Sequence, residues 1–81
     1  MITFAHMDTP PLTRLARVVV DEMSQAGLSE NAVAQRTAIP RSTLKRRLVS
    51  GDFTHAELWA VANLLDTTPA DLMARAEQVP A

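Results

Sequence analysis

Helix-start signals recur along this chain and constrain its fold more than any other sequence feature. Five short segments are each preceded by Ser, Thr or Pro residues, which favour the first turn of a helix. These helix-start residues are Thr9-Pro10, Ser29, Pro40, Thr54 and Thr68-Pro69. Apolar residues follow at intervals of three and four, and no β-branched run alternates with polar residues. The sequence therefore predicts an all-α fold, a compact bundle of five helices.

The first and fourth segments have the strongest apolar patterns. One apolar stripe of the first segment consists of Leu12, Leu15, Ala16, Val19 and Met23. Gly27 follows as a left-handed cap, while Val18 and Val20 lie off this stripe. The fourth segment, residues 55–65, is the most apolar of the five, and we expect it to be the central helix of the core.

The chain length favours one domain and leaves little room for a large core. Eighty-one residues lie near the lower end of what folds alone, so the core must either be efficient or be extended by a partner subunit. We place the domain core at about residues 9–77, with residues 1–8 and 78–81 as terminal extensions.

Several functional classes are disfavoured by composition. The chain has no Cys and only two His, His6 and His55, which stand far apart, so we expect no metal site and no cofactor. The sequence shows no catalytic nucleophile paired with a general base and no phosphate-binding loop, which argues against an enzyme. There is no membrane-spanning stretch and no basic signal-peptide start, and we therefore expect a cytoplasmic protein without a membrane partner. No small-molecule effector is evident.

Charge is distributed unevenly along the chain. The formal net charge is −1, yet residues 29–50 hold five Lys or Arg and one Glu. Residues 51–81 hold one Arg and five Asp or Glu. A basic patch on a nearly neutral protein can face a phosphate backbone without binding every polyanion.

The basic residues fall on the second of two short helices joined by a turn. Residues 38–40 interrupt the pattern, since Pro40 biases Ile39 away from helical dihedral angles. This spacing is typical of a helix-turn-helix. We expect Ile39, Leu44 and Leu48 to be buried. The opposite face then carries Arg41, Ser42, Lys45 and Arg46, with Val49 at its far end.

These segments together resemble the phage-repressor, or Xre-type, helix-turn-helix domain, which is lambda-repressor-like. The residues that carry the resemblance are 28–34 (LSENAVA), 39–44 (IPRSTL), 53–58 (FTHAEL) and 62–65 (ANLL). The likeness covers roughly residues 12–74, and "LLDTTPADLM" is similar to the usual start of the family's last helix. The family commonly has Gly where Ala38 stands, and Ser or Thr where Pro40 stands.

The resemblance and the physics of groove recognition together imply a set of DNA contacts. The expected base contacts are Arg41, Ser42, Lys45 and Arg46, because long donors early in a recognition helix reach base edges. Contacts with the DNA backbone are expected from Ser29, Glu30, Asn31, Arg36, Thr43 and Arg47. The small Ala34 allows the two helices to approach each other.

The sequence therefore predicts a sequence-specific transcriptional regulator, most simply a phage or bacterial repressor. We expect a homodimer on a palindromic double-stranded DNA operator, because one small module reads few base pairs alone. An alternative is a protein-interaction module or antitoxin-like adaptor, for which DNA binding is secondary. Its partner would contact exposed residues among Val18, Val20 and Trp59; Trp59 is otherwise expected in the core or at a dimer contact.

Overall fold

A computed structural model describes residues 11–79, and within this range the chain forms five α-helices and no strand. The helices are α1 (Pro11–Gln25), α2 (Glu30–Thr37), α3 (Arg41–Ser50), α4 (His55–Leu64) and α5 (Pro69–Gln78). The predicted all-α class with five helices is confirmed. The predicted cap at Thr9-Pro10 lies outside the described residues.

Side-chain caps lie at the N-termini of three helices, α2, α4 and α5, where the sequence predicts them. The Ser29 hydroxyl accepts a hydrogen bond from the Ala32 N–H at 3.1 Å and caps α2. Thr54 and Glu57 form the capping box of α4. Thr68 accepts from the Asp71 N–H at 3.1 Å, so all three predicted caps are confirmed.

Four of the described helices end at a residue in the left-handed conformation, and those at the ends of α1 and α4 share one hydrogen-bond pattern. At the end of α1, Gly27 has φ of 70°, and the Leu28 N–H donates to the Met23 carbonyl at 2.9 Å. This pattern is a Schellman motif, as the glycine predicted. At the end of α4, Asp66 has φ of 59° in a similar motif, where the sequence offered no glycine as a signal.

All five helices bury residues in a single apolar cluster. The turn between α2 and α3 adds Ile39 to this cluster, and the largest fully buried side chains are Val19, Val33, Leu44, Val61 and Leu72. Within the described part of the chain, no polar or charged residue is buried. Burial of apolar surface is therefore the main source of stability.

Helix α1, rather than the more apolar α4, makes the most extensive contacts with other helices, which corrects the expectation from apolar content. Helix α1 packs against both α3 and α5, so it buries Val18 as well as the predicted stripe residue Val19. Helix α4 packs against α2 and α5 and leaves Trp59 half exposed. Leu12, which begins the predicted stripe, is also half exposed.

Close backbone contact fixes the end of α3 against α1. Gly51 follows α3 with φ of 77°, and a Cβ atom there would lie 1.5 Å from the Leu12 carbonyl oxygen. Only glycine permits this approach. The contact anchors the end of α3 on the core and leaves the opposite face of the helix toward solvent.

Candidate nucleic-acid interface

The outer face of α3 presents the predicted basic residues to solvent. The side chains of Arg41, Ser42, Lys45 and Arg46 are all exposed. Within residues 11–79, none of the three cations among them forms an ion pair or a side-chain hydrogen bond. Their charges and donors are therefore available to an external partner. We call these four residues the α3 basic face.

The α3 basic face points outward because the opposite side of α3 is buried. Leu44 is completely buried, and Leu48 lies one helical turn further on and is also buried. Ile39, the predicted inward residue of the turn, is buried beside them. Two leucines and one isoleucine thus hold a helix whose remaining positions are mostly polar.

The connection between α2 and α3 consists of residues 38–40. Ala38 has φ of 62° and ψ of 19°, the left-handed conformation that a non-glycine residue rarely adopts. The Thr37 hydroxyl donates to the Val33 carbonyl at 2.7 Å and supports the end of α2. Pro40 precedes α3 and provides no side-chain cap, and no side chain of residues 11–79 accepts a hydrogen bond from the first N–H groups of α3.

The predicted backbone contacts differ in exposure. Ser29, Asn31 and Arg36 are exposed on or beside α2, whereas Glu30 and Thr43 are half-buried. The packing of α2 against α3 brings these residues onto two adjoining helices. Buried Ala34 fits the predicted close approach of the two helices.

Arg47 has an intramolecular partner that sequence reasoning missed. Its Nε donates to Glu57 Oε1 at 2.9 Å, and the same oxygen accepts the Thr54 N–H at 2.9 Å. The hydrogen bond from the Thr54 backbone, helped by Arg47, lowers the pKa of the Glu57 carboxyl despite its partial desolvation. Arg47 thus joins α3 to the start of α4, and this pairing weighs against its predicted phosphate contact.

A shallow concavity lies along the last two turns of α3. Its lining residues are Ser42, Lys45, Arg46, Arg47, Val49, Ser50 and Asp52. Arg41 lies at the start of the helix and does not line the concavity. The α3 basic face therefore consists of Arg41 outside the concavity and of Ser42, Lys45 and Arg46 along it. Ser50 and Asp52 have no role predicted from the sequence; the Asp52 N–H donates to the Ser50 hydroxyl oxygen at 3.1 Å and shapes the exit from α3.

Acidic residues lie mainly on other elements. Asp66, Asp71 and Glu77 are exposed on or beside α5, away from the α2 and α3 pair in sequence. Arg75 forms ion pairs with Glu22 of α1 and with Asp71, and its hydrogen bond to Glu22 raises the pKa of Arg75. Arg75, the one cation of residues 51–81, is therefore neutralised by carboxylates of the molecule, whereas the cations of the α3 basic face have no such partner among residues 11–79.

Other exposed apolar side chains are scattered over three helices. Val20 is 42% exposed on α1 and Trp59 is 49% exposed on α4, as the protein-interaction alternative requires. Val18 is only 6% exposed and packs in the core, so of the two valines off the α1 stripe only Val20 is accessible to such a partner. Leu12 and Met73 are half exposed and line one groove between α1 and α5.

The described residues contain no cluster of His, Asp or Glu able to hold a metal ion. Among the five helices described, none is long and apolar enough to cross a bilayer.

Comparison with protein-family models, with curated proteins and with solved structures finds no match. The resemblance to phage-repressor domains therefore rests on the residues quoted above.

Proposed function

We propose that this protein is a sequence-specific regulator of transcription that binds double-stranded DNA. In this proposal α2 and α3 form a helix-turn-helix, and α3 enters the major groove. The observation that carries the proposal is the exposure of three cations on the α3 basic face, Arg41, Lys45 and Arg46, which form no ion pair with residues 11–79. Exposed guanidinium and ammonium groups on one helix match the acceptors of base edges and phosphates.

The proposed base contacts follow from side-chain length and position on α3. Arg41, at the first turn, offers two parallel donors to guanine O6 and N7, and Arg46 offers a second fork one turn later. Lys45 donates to a guanine or a phosphate, and Ser42 contacts the nearest base. These four residues would specify sequence.

Contacts with phosphates would hold the helix in register. Arg36 and Asn31, both exposed, have donors that suit this role, and the capped start of α2 at Ser29 supplies backbone N–H groups. Glu30 tolerates such a position only where it pairs with Arg41 or accepts a hydrogen bond from cytosine. Thr43 is a further donor on α3.

The biological unit in this proposal is a cytoplasmic homodimer on a palindromic operator, where it represses transcription by blocking polymerase. A dimer reads two half-sites whose centres lie about 34 Å apart, one turn of DNA. Selection of bound duplexes from a random pool tests this directly, because a symmetric consensus reports specificity and subunit number together. Selection of no consensus would overturn the proposal.

Substitution of Arg41 tests the base contacts. Arg41→Ala is expected to weaken binding to the selected operator about tenfold or more, with a much smaller loss on random duplex. Arg41→Lys is the matched control, because lysine keeps the charge but not the two-donor fork. Restoration of full operator affinity by lysine, or equal losses on both duplexes, would show that Arg41 contacts only phosphate.

A second candidate is a protein-interaction module, favoured by the exposed indole of Trp59. Large aromatic side chains at a surface are enriched in protein interfaces. Binding of random duplex that weakens steeply as salt increases supports the DNA proposal. No binding of duplex at moderate salt would favour the interaction module.

A further inference from the structure

Val49 is the most exposed large apolar side chain of the described residues. It is 74% exposed, whereas Leu12, Val20, Trp59 and Met73 are 42–49% exposed. Single exposed apolar residues are common and need no explanation by themselves. The position of Val49, however, is on the helix that carries the α3 basic face.

Val49 continues the row of outward residues on α3. It follows Ser42, Lys45 and Arg46 at intervals of seven, four and three residues, so it lies on the same side of the helix. It also lines the same concavity as these three residues. A partner that covers Lys45 and Arg46 must therefore cover Val49 as well.

Only one group on the base edges of unmodified B-form DNA suits such a side chain. The major groove displays hydrogen-bond donors and acceptors for every base, and thymine alone adds an apolar group, its C5-methyl. Valine has no donor, so contact with a phosphate would remove water from the anion without replacing its hydrogen bonds. The chemistry of Val49 thus selects thymine among the possible neighbours.

We propose that Val49 contacts a thymine methyl group and fixes a T·A pair in each half-site. The inference rests on the proposed DNA-binding function and adds an apolar specificity residue to its hydrogen-bonding ones. Val49 lies about 4.5–6 Å along the helix axis from Arg46 and Lys45. This spacing places the thymine one or two base-pair steps, of about 3.4 Å each, from the pair that those cations contact.

Deoxyuridine provides the test, because it differs from thymidine only by the missing methyl. Each thymine of the selected operator is replaced singly, and the affinity of the full-length protein is measured. We expect a loss of about three- to fivefold at one thymine per half-site, as for removal of one apolar carbon from a contact. Val49→Ala is expected to have the same affinity for the operator with thymidine at that position and for the operator with deoxyuridine there.

Val20→Ala is the matched control, since Val20 is an exposed valine on α1 that does not line the concavity of α3. The affinity of this variant should fall on deoxyuridine replacement by the same factor as the affinity of the unaltered protein. Thermal melting of Val49→Ala checks that loss of this exposed side chain leaves the fold intact.

The outcomes separate this inference from the function on which it rests. A selected operator without a methyl-sensitive thymine, or a sensitivity that persists in Val49→Ala, overturns the role of Val49 and leaves sequence-specific DNA binding in place. Failure to select any operator overturns both.

Discussion

Ala38 adopts a backbone conformation that its side chain disfavours. With φ of 62°, it lies in the left-handed region, which costs an L-residue about 1–2 kcal/mol relative to ordinary dihedral angles. The conformation is imposed by the short turn that carries the chain from α2 into α3. The buried Ile39 and the Thr37 hydrogen bond to Val33 hold the two sides of this turn.

Ala38→Gly is expected to stabilise the protein by about 1 kcal/mol, because glycine populates this region freely and its extra entropy in the unfolded chain offsets only part of the gain. Urea denaturation measures the change in the free energy of unfolding. Ala74→Gly is the matched control, since Ala74 is exposed within α5, where glycine should cost about 1 kcal/mol. Destabilisation by Ala38→Gly would mean that the alanine methyl contributes more than the strain removes.

Short-range features of single residues were predictable from the sequence. The caps at Ser29, Thr54 and Thr68 depend on residues three positions away, so their signals are complete within one turn of chain. The Arg47 to Glu57 ion pair joins two helices across a loop, and the sequence alone gives no distance between them. For the same reason the sequence marked Arg41, Lys45 and Arg46 as cationic but could not establish that they lack internal partners.

At the scale of elements, apolar content predicted which segments are helical but not which helix is central. The sequence of α4 is the most apolar, yet α1 makes the most extensive contacts, with α3 and α5. Val18, off the main stripe, packs into the core because α1 has two neighbours. The position of a helix depends on how the others pack, which periodicity within one segment does not report.

The attachment of α3 to α4 is predicted to depend on pH through Glu57. Its pKa in the folded protein is lowered, so the ionised carboxylate stabilises the fold above the ordinary glutamate pKa of about 4.3. That stabilisation is lost as the pH falls through the lowered pKa. The free energy of unfolding should therefore decrease more for the unaltered protein than for Glu57→Gln between about pH 5 and pH 3.

Chemical denaturation at several pH values measures this difference. Glu57→Gln is expected to lose about 1 kcal/mol at neutral pH, because the ion pair with Arg47 is replaced by a weaker hydrogen bond from the charged guanidinium to a neutral amide oxygen. Glu77→Gln, which removes an exposed carboxylate of α5 without a described ion pair, should retain the pH dependence. Parallel pH profiles for Glu57→Gln and the unaltered protein would contradict this role.

At the scale of the whole molecule, charge separates into a basic and an acidic part. The excess of cations in residues 29–50 coincides with α2 and α3, and the excess of acids in residues 51–81 coincides mainly with α4 and α5. Such a charge distribution orients a molecule in the field of a polyanion and limits binding in other orientations. The overall pI of about 6.0 does not reveal this separation.

This charge distribution predicts how the proposed binding to DNA responds to salt. Arg36→Ala should weaken binding to operator and random duplex equally, and in a dimer it should reduce the slope of log affinity against log salt by about 2. Asp66→Asn is the matched control, because it also changes the charge by one unit, on the acidic side, and asparagine tolerates the left-handed conformation found there. Titrations with labelled duplex at several salt concentrations measure both variants. If Arg36 contacts a phosphate, the slope of log affinity against log salt changes for Arg36→Ala and stays close to the unaltered value for Asp66→Asn. Equal and opposite changes of the two slopes would mean that the net charge of the protein, rather than a contact from α2, governs its approach to DNA.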